Sequence, residues 1–486
     1  MSTFGSILSI ARGAIASHQA AIQTTSHNLA NAETEGFSRQ RVELVPSTPQ
    51  RFPFYSIGTG VSISDIVRYR DQLLDNTYRR EVGNSEAFSL RRDLMSEIES
   101  VLGEPSDTGL AATLDEFWNA WADLSNNPGN GAAQGVVRQR GAQAAYMLNT
   151  FATQLADLGN RTRSRMSDTV DQINGLAQQV ATLNRQITAA EVGGQQAPDL
   201  RDQRDRLADQ LAKLTGARTE PQANGTVGVH LGTMMLVDAA NARTLEARGG
   251  TQVSLGMKGD PDPLVGVTGP LAAMVDFINT DLPSVTGRLD QLARALVNGV
   301  NEYHMSGWTA AGDALGNSNW VPANGPTGSR VAFFDPAFVS AGTIRLSSAV
   351  VANAAVIASG DVQNAPGNNT IALAVAALRN DTGVDALRTR MGAAFATQVG
   401  LATDTSYLDH YTQVVTDVGV SVDESGNQFA IYDTLARQAD TRRASVSGVS
   451  IDEELTLLMR HQQAYAAAAK LVKAADEMAQ VILGMV

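Results

Sequence analysis

The side chains best suited to metal or proton chemistry in this 486-residue sequence are its six histidines: His18, His27, His230, His304, His410 and His461. None stands four residues from another and H-E-x-x-H does not occur, so no single helix face offers a zinc pair. His230 sits in a strand pattern and reads as a surface or satisfied core residue. Lys213, Lys258, Lys470 and Lys473 do not follow glycine-rich turns, and G-x-x-x-x-G-K-[ST] is absent. Gly58-Thr-Gly60 lacks the spacing of a dinucleotide fingerprint and reads as a turn before a strand. No G-x-S-x-G nucleophile elbow occurs. The chain has no cysteine, which excludes thiolate metal sites, iron–sulfur clusters, disulfides and cysteine nucleophiles together. The carboxylates Asp452, Glu453 and Glu454 fit the first turn of a helix, where the dipole favours them. Trp118 and Trp121, near Leu114 and Phe117, read as core anchors. The sequence thus predicts no catalytic centre, no cofactor and no metal.

With chemistry set aside, the elements carry the function. Net charge is −13 and the basic residues are dispersed, which disfavours nucleic acid and anionic membranes as partners. No run approaches the roughly 18 apolar residues of a membrane helix. The N-terminus lacks the basic segment of a Sec-type signal peptide, so export would need another route.

The two ends hold the clearest patterning. Phe4, Leu8, Ala11, Ile15, His18, Ile22, Thr25 and Leu29 recur at alternating spacings of four and three, a coiled-coil seam. Between Phe4 and Ala32 the only formal charge is Arg12, and faces of small uncharged groups suit close contact with other helices. At the other end, Ser450 and Glu453 form an S-x-x-E capping box before a long helix. One seam runs through Ile451, Leu455, Leu458, Tyr465, Ala469 and Val472, with Gln462 alongside. A second runs through Leu471, Ala475, Met478, Ile482 and Met485. These seams require a partner: the N-terminal helix, or the same helix in a neighbouring copy.

Between the ends, residues 136–192 read as a long helix. The break Val192-Gly-Gly-Gln-Gln-Ala-Pro198 leads to a second helix carrying Leu200, Leu207, Leu211 and Leu214 and ending at Gly216, an antiparallel hairpin. Residues 218–268 read as a small antiparallel β unit. Leu289, Leu292, Leu296, Val300 and Tyr303 mark another helix. Residues 306–350 are rich in Gly, Asn and Pro, and helical patterning resumes near 370. The expected fold is mainly α with small β units: an elongated multi-domain chain with its terminal helices paired in a coiled-coil end-domain and a long α-hairpin body. The expected domains are 1–40 with 444–486 (terminal assembly), 41–217 with 281–305 and 400–443 (helix bundle), 218–280 (β unit) and 306–399 (a variable α/β region).

The segment Ser26-His-Asn-Leu-Ala-Asn-Ala-Glu-Thr-Glu-Gly-Phe-Ser-Arg-Gln40 resembles the signature of the flagellar rod, hook and junction family of axial proteins. There an Asn-rich helix end leads to Asn-Thr-x-Gly-Tyr and a polar pair. Here Asn28 and Asn31 can end the helix through side-chain bonds, Gly36 permits the turn, and Phe37 can pack back as an anchor. Phe37 replaces the family's Tyr and Glu33 its Asn. Ser38-Arg39-Gln40 resembles the hook-associated branch, and so do Ser445 to Leu455 and Gln462 to Lys470. Asp199 to Leu207, Asp281 to Asn301 and Tyr407 to Val420 are similar to that branch's interior helices.

The resemblance implies a structural, non-enzymatic component exported through the flagellar type III apparatus and located outside the cell at the hook–filament junction. It implies as partners further copies of the chain in a helical ring, hook protein below, a second junction protein and filament above, and an export chaperone. The residues expected to carry assembly are Phe4, Leu8, Ile15, Ile22, Leu29, Asn31, Gly36, Phe37, Leu455, Leu458, Gln462, Tyr465, Val472, Met478 and Ile482. Larger members carry a β-rich insertion after the Phe-Phe segment. The short interval from Phe334 to Thr343 implies a reduced outer domain. Hook protein, distal rod protein and flagellin are the alternatives within the family. Outside it, an adhesin or a secreted effector shares the missing cysteine and signal peptide.

Overall fold

The structure, a computed structural model, describes residues 2–52, 55–250, 252–309 and 331–484, with only the backbone of residues 2–5, 52 and 482–483. The side chains of Phe4 and Ile482, residue Met485 and part of the Gly/Asn/Pro-rich stretch therefore lie outside the described residues.

The chain opens with α1 (Ser2–Ala30). A long antiparallel hairpin follows, β1 (Gln40–Pro46) with β4 (Val61–Arg68), and its far end holds the short pair β2 (Gln50–Phe52) and β3 (Tyr55–Ile57). The body comprises α2 (Gln72–Leu102), α3 (Leu110–Asn126), α4 (Gly131–Ala190) and α5 (Pro198–Thr215). Asp71 caps α2 by accepting from the backbone N–H groups of Leu73 and Leu74, and Gly103 closes it in the left-handed region. α4 runs for 60 residues and returns as α5 across the Gly/Pro break, with Pro198 in the first turn of α5. Gly216, at φ 63°, ends α5.

A four-stranded meander then forms from β5 (Arg218–Pro221), β6 (Val227–Leu231), β7 (Met234–Asp238) and β8 (Asn241–Ala242), beside the pair β9 (Leu245–Arg248) and β10 (Ser254–Met257). The β units rest on α4, where Asn184 and Asn174 bond strand backbone at Val227 and Leu245. α6 (Gly269–Asp276) and α7 (Leu282–His304) lead back into the body. The stretch after residue 330 holds short helices, α8 (Ser348–Ala352), α9 (Thr370–Ala377), α10 (Asp381–Met391) and α11 (Ala394–Gln398). The runs Val331–Phe334 and Thr343–Leu346 meet only in a bridge between Phe334 and Leu346. The chain ends with α12 (Tyr407–Ser447) and α13 (Ile451–Leu483). The result is an elongated, mainly α architecture with small sheets.

One hydrophobic core runs through the body. Its aromatic centre joins Phe117, Trp118 and Trp121 of α3 to Phe333, Phe334, His304 and Tyr407 at ring separations of 4.9–6.3 Å. The tryptophans are 1% and 0% exposed, so they are anchors, as their spacing predicts. Asn301 holds the Phe333–Phe334 segment in place: its Oδ1 accepts both backbone N–H groups and its Nδ2 donates to the Phe334 carbonyl.

Candidate assembly site

α1 and α13 pack along each other, but the seam between them is not the bulky one expected. On α1 the buried residues are Ala11, Ser17, Ala21, Thr24, Thr25 and Asn28; with the half-buried Ala14 and His18, the series Ala11, Ala14, His18, Ala21, Thr25, Asn28 alternates steps of three and four. Ala11, His18 and Thr25 belong to the expected seam. At the intervening positions Ala14, Ala21 and Asn28 replace Ile15, Ile22 and Leu29, which with Leu8 stay half-buried at the flank. On α13 the inward residues are Glu454, Leu457, His461, Ala464, Ala468 and Ala475. Through Ala468 this is the first expected stripe displaced by one residue, a rotation of about 100° around the helix, whereas Ala475 lies on the second expected seam.

The displacement turns outward several residues expected in the contact. Leu455 is 42% exposed, Tyr465 39% and Met478 44%, with Gln462 also exposed. Leu458 and Val472 are half-buried. Ile451, Met459, Leu471 and Val481 add to the outer apolar surface. The physical reason is size: Ala, Thr and Ser let two helices approach closely, whereas Leu and Tyr would hold them apart. The hairpin roots on the same helix, because a Cβ on Gly13 would lie 2.8 Å from the Val61 carbonyl oxygen.

A polar cluster fixes the register of this pair. Asn28 is 1% exposed and does not end α1. Its Oδ1 accepts from the Gln40 N–H at 3.0 Å, and its Nδ2 donates to the Gln40 carbonyl and to Glu454 Oε2. Asn31 does close the helix, donating to the His27 carbonyl at 3.0 Å. Gly36 takes φ 76°, and a Cβ there would fall 2.2 Å from Arg206 Cγ. Phe37, half-buried, packs edge-on against His27.

The Ser38-Arg39-Gln40 triplet joins four parts of the chain. Ser38 donates its backbone N–H and its hydroxyl to Asp202 of α5, at 2.9 and 2.7 Å. Arg39 reaches Glu454 and Glu453 in the first turn of α13, at 2.7 and 2.9 Å, while its backbone N–H bonds the Ser447 carbonyl at the end of α12. Gln40 donates to Asp199 at 2.7 Å. Glu453 therefore serves Arg39 instead of closing a capping box with Ser450, whose hydroxyl makes only a 3.5 Å contact with the Glu453 N–H.

Behind the triplet lies an ionic network that sequence reading missed. α5 was expected to bury Leu200, Leu207, Leu211 and Leu214. Of these only Leu211 is fully buried, and Asp202, Arg204 and Asp205 are buried with it. Arg68 contacts Asp202 and Asp205 at 2.6 and 3.0 Å, Arg70 contacts Asp75 at 2.7 Å, and Asp209 bridges Arg79 and Arg443 at 2.7 and 2.6 Å. Burial would push the Asp205 carboxyl up, yet the guanidiniums of Arg204, Arg70, Arg68 and Arg79 hold it far below the usual carboxylate range. The available signal was the spacing of Asp202, Asp205 and Asp209, acids at i, i+3 and i+7 on one helix face. Every carboxylate here is committed to a cation, which suits a rigid joint and not proton transfer. Among the described residues, no three His, Cys, Asp or Glu side chains gather as a metal site, and no helix is long and apolar enough to cross a membrane.

This arrangement has counterparts. Residues 95–318 match the family described as "Flagellar hook-associated protein FlgK helical domain", and residues 443–485 match "Flagellar basal body rod FlgEFG protein C-terminal". The chain is 29% identical to flagellar hook-associated protein 1 of Bacillus subtilis across 98% of both chains. The chain is thus similar, over nearly its whole length, to flagellar hook-associated protein 1. The Salmonella typhimurium protein of that name is 25% identical over 99% of this chain and all of its own. Among solved structures, the flagellar hook junction protein FlgK from Burkholderia pseudomallei superposes with a TM-score of 0.61, covering 76% of this chain and all of its own. At 15% identity that likeness bears on the fold, and it accords with the elongated helical body.

Proposed function

We propose that this chain is a structural building block of the flagellum at the junction between hook and filament, joined to further copies of itself through its terminal helices. The observation that carries this reading is the outward turn of Leu455, Met459, Tyr465, Leu471 and Met478 on α13. α1 already fills the inner face with small residues, so these side chains remain for a neighbouring subunit. The outer face of α1 (Ala16, Gln19, Gln23, Ser26, Ala30) carries no bulky apolar group and, beyond Arg12 at its N-terminal end, no charge, and it complements a bulky apolar ridge. A ridge on one helix and a face without one on the other form a heterologous pair, which propagates around a ring or helix. Leu8, Ile15, Ile22 and Leu29 would add to the flanks of that contact. Asn31, Gly36 and Phe37 set the turn beneath it.

In this role the partners are hook protein below, a second junction protein and filament above, and an export chaperone beforehand. The chain works outside the cell and has no catalytic step. The reduced outer domain keeps the subunit slim. The test is electron microscopy of a deletion strain complemented with Leu455→Asp/Tyr465→Asp. The expected result is hooks without filaments, with flagellin shed into the medium. Normal filaments from that variant, or from a chain lacking residues 1–35 and 450–486, would overturn the proposal.

A further inference from the structure

Two histidines that stand 443 residues apart in sequence meet between the terminal helices. His18 Nδ1 of α1 and His461 Nδ1 of α13 are 3.4 Å apart, with ring centroids at 5.6 Å and planes inclined by 40°. Both are half-buried in the seam, where the neighbouring positions on α1 are the small residues Ala14, Ser17 and Ala21. The separation is at the long end of hydrogen-bond reach. It also equals the separation across a shared metal: a dication about 2.0–2.1 Å from each nitrogen subtends about 110°, the tetrahedral angle.

We propose that His18 and His461 form a two-histidine site for a borderline transition-metal dication of the zinc, cobalt, nickel and copper class, clipping the first helix of the chain to the last. Imidazole pairs suit these ions and not magnesium or calcium, which take oxygen ligands. Two coordination positions remain for water. His461 borders a groove of about 730 Å³ between α1, β1 and α13, also lined by Thr24, Glu43, Glu454 and Tyr69, which gives water access to its ring. Burial, His18 and the cations Arg460 and Arg41 push the His461 pKa down while Glu454 opposes them. Glu43 and Glu454 line the same groove as Arg39, Arg41 and Arg460.

The site is independent of the assembly reading, because binding is measured on the isolated full-length chain. Titration calorimetry with zinc chloride and with nickel chloride should give one ion per chain. The melting temperature should rise with metal concentration, and magnesium should leave it unchanged. His18→Asn and His461→Asn should each weaken binding about tenfold or more while the circular dichroism stays helical. X-ray absorption of the zinc-loaded wild-type chain should count two imidazoles at the metal, a readout that needs no variant to fold. Undiminished binding in both variants, fewer than two imidazoles, or no binding at millimolar metal would overturn the proposal.

Discussion

Arg39 Nε donates to Glu454 Oε1 at 2.7 Å, and that one contact joins the turn after the first helix to the opening turn of the last. Glu454 is 1% exposed, and Asn28 holds its second oxygen. The pair therefore sets where two chain ends, more than 400 residues apart, come together.

Removing the cation strands the acid. Arg39→Ala should destabilise the docking of α13 by about 3 kcal/mol, as expected for a buried carboxylate that loses its partner. Hydrogen exchange should show faster opening of residues 451–458 with little change in α3 and α7. Arg39→Met combined with Glu454→Leu should recover part of the loss, because the orphaned charge is gone.

A second prediction concerns the close crossing of α2 and α5. A Cβ on Gly83 would stand 2.7 Å from Gly216 Cα and 3.0 Å from the Ala212 carbonyl oxygen, both backbone atoms. Gly83→Ala should cost about 1–3 kcal/mol through overpacking. Urea unfolding should report it as a lower midpoint with an unchanged slope.

Acid should weaken the body through His304. Burial pushes this imidazole down to about 4, against its bond to the Val331 carbonyl. The ring donates from Nδ1 to that carbonyl and accepts at Nε2 from the Ala358 N–H, so both nitrogens are engaged in the neutral form. The unfolded chain takes up this proton below about pH 6.5 and the folded chain only near 4, so stability falls as pH drops through that window. The loss should reach about 3 kcal/mol. His304→Gln should be less stable at pH 7 yet show a flatter profile between pH 6.5 and 4, read as the difference between the two unfolding curves.

The seam itself can be probed from both faces. Ala475 is 0% exposed between α1 and α13. Ala475→Leu should wedge the helices apart at a cost of about 1–3 kcal/mol, visible as faster hydrogen exchange in α1. Met459→Ala, at a residue 57% exposed, should leave the isolated chain's stability within about 0.5 kcal/mol.

Hydrophobic period and turn residues made most of the architecture legible in sequence. The Val192–Pro198 break, Gly216 and the periodic leucines of α7 locate their elements because local rules decide them. The face of α13 was not legible. Period alone fixes a stripe only to within a residue, and Leu455 and Tyr465 offer more apolar surface to bury than Ala464 and Ala468. Close approach selected the small residues instead, and the Asn28–Glu454–Arg39 contact fixed the choice. The acids of α5 were illegible for a related reason. Asp202 and Asp205 look like solvent-facing residues until Arg68 and Arg70, more than 130 positions away, arrive to neutralise them.

The Ser38–Asp202, Arg68–Asp205 and Arg443–Asp209 contacts give the molecule its mechanical character. A rotating shaft loads each subunit sideways once per turn, and a flexible linker at residues 38–40 would absorb that load by bending. Here flexing would have to part several short, shielded charge contacts on three chain segments at once. The joint should behave as a weld that transmits twist from the terminal helix pair to the body, and salt should soften it little because its charges are largely shielded from solvent.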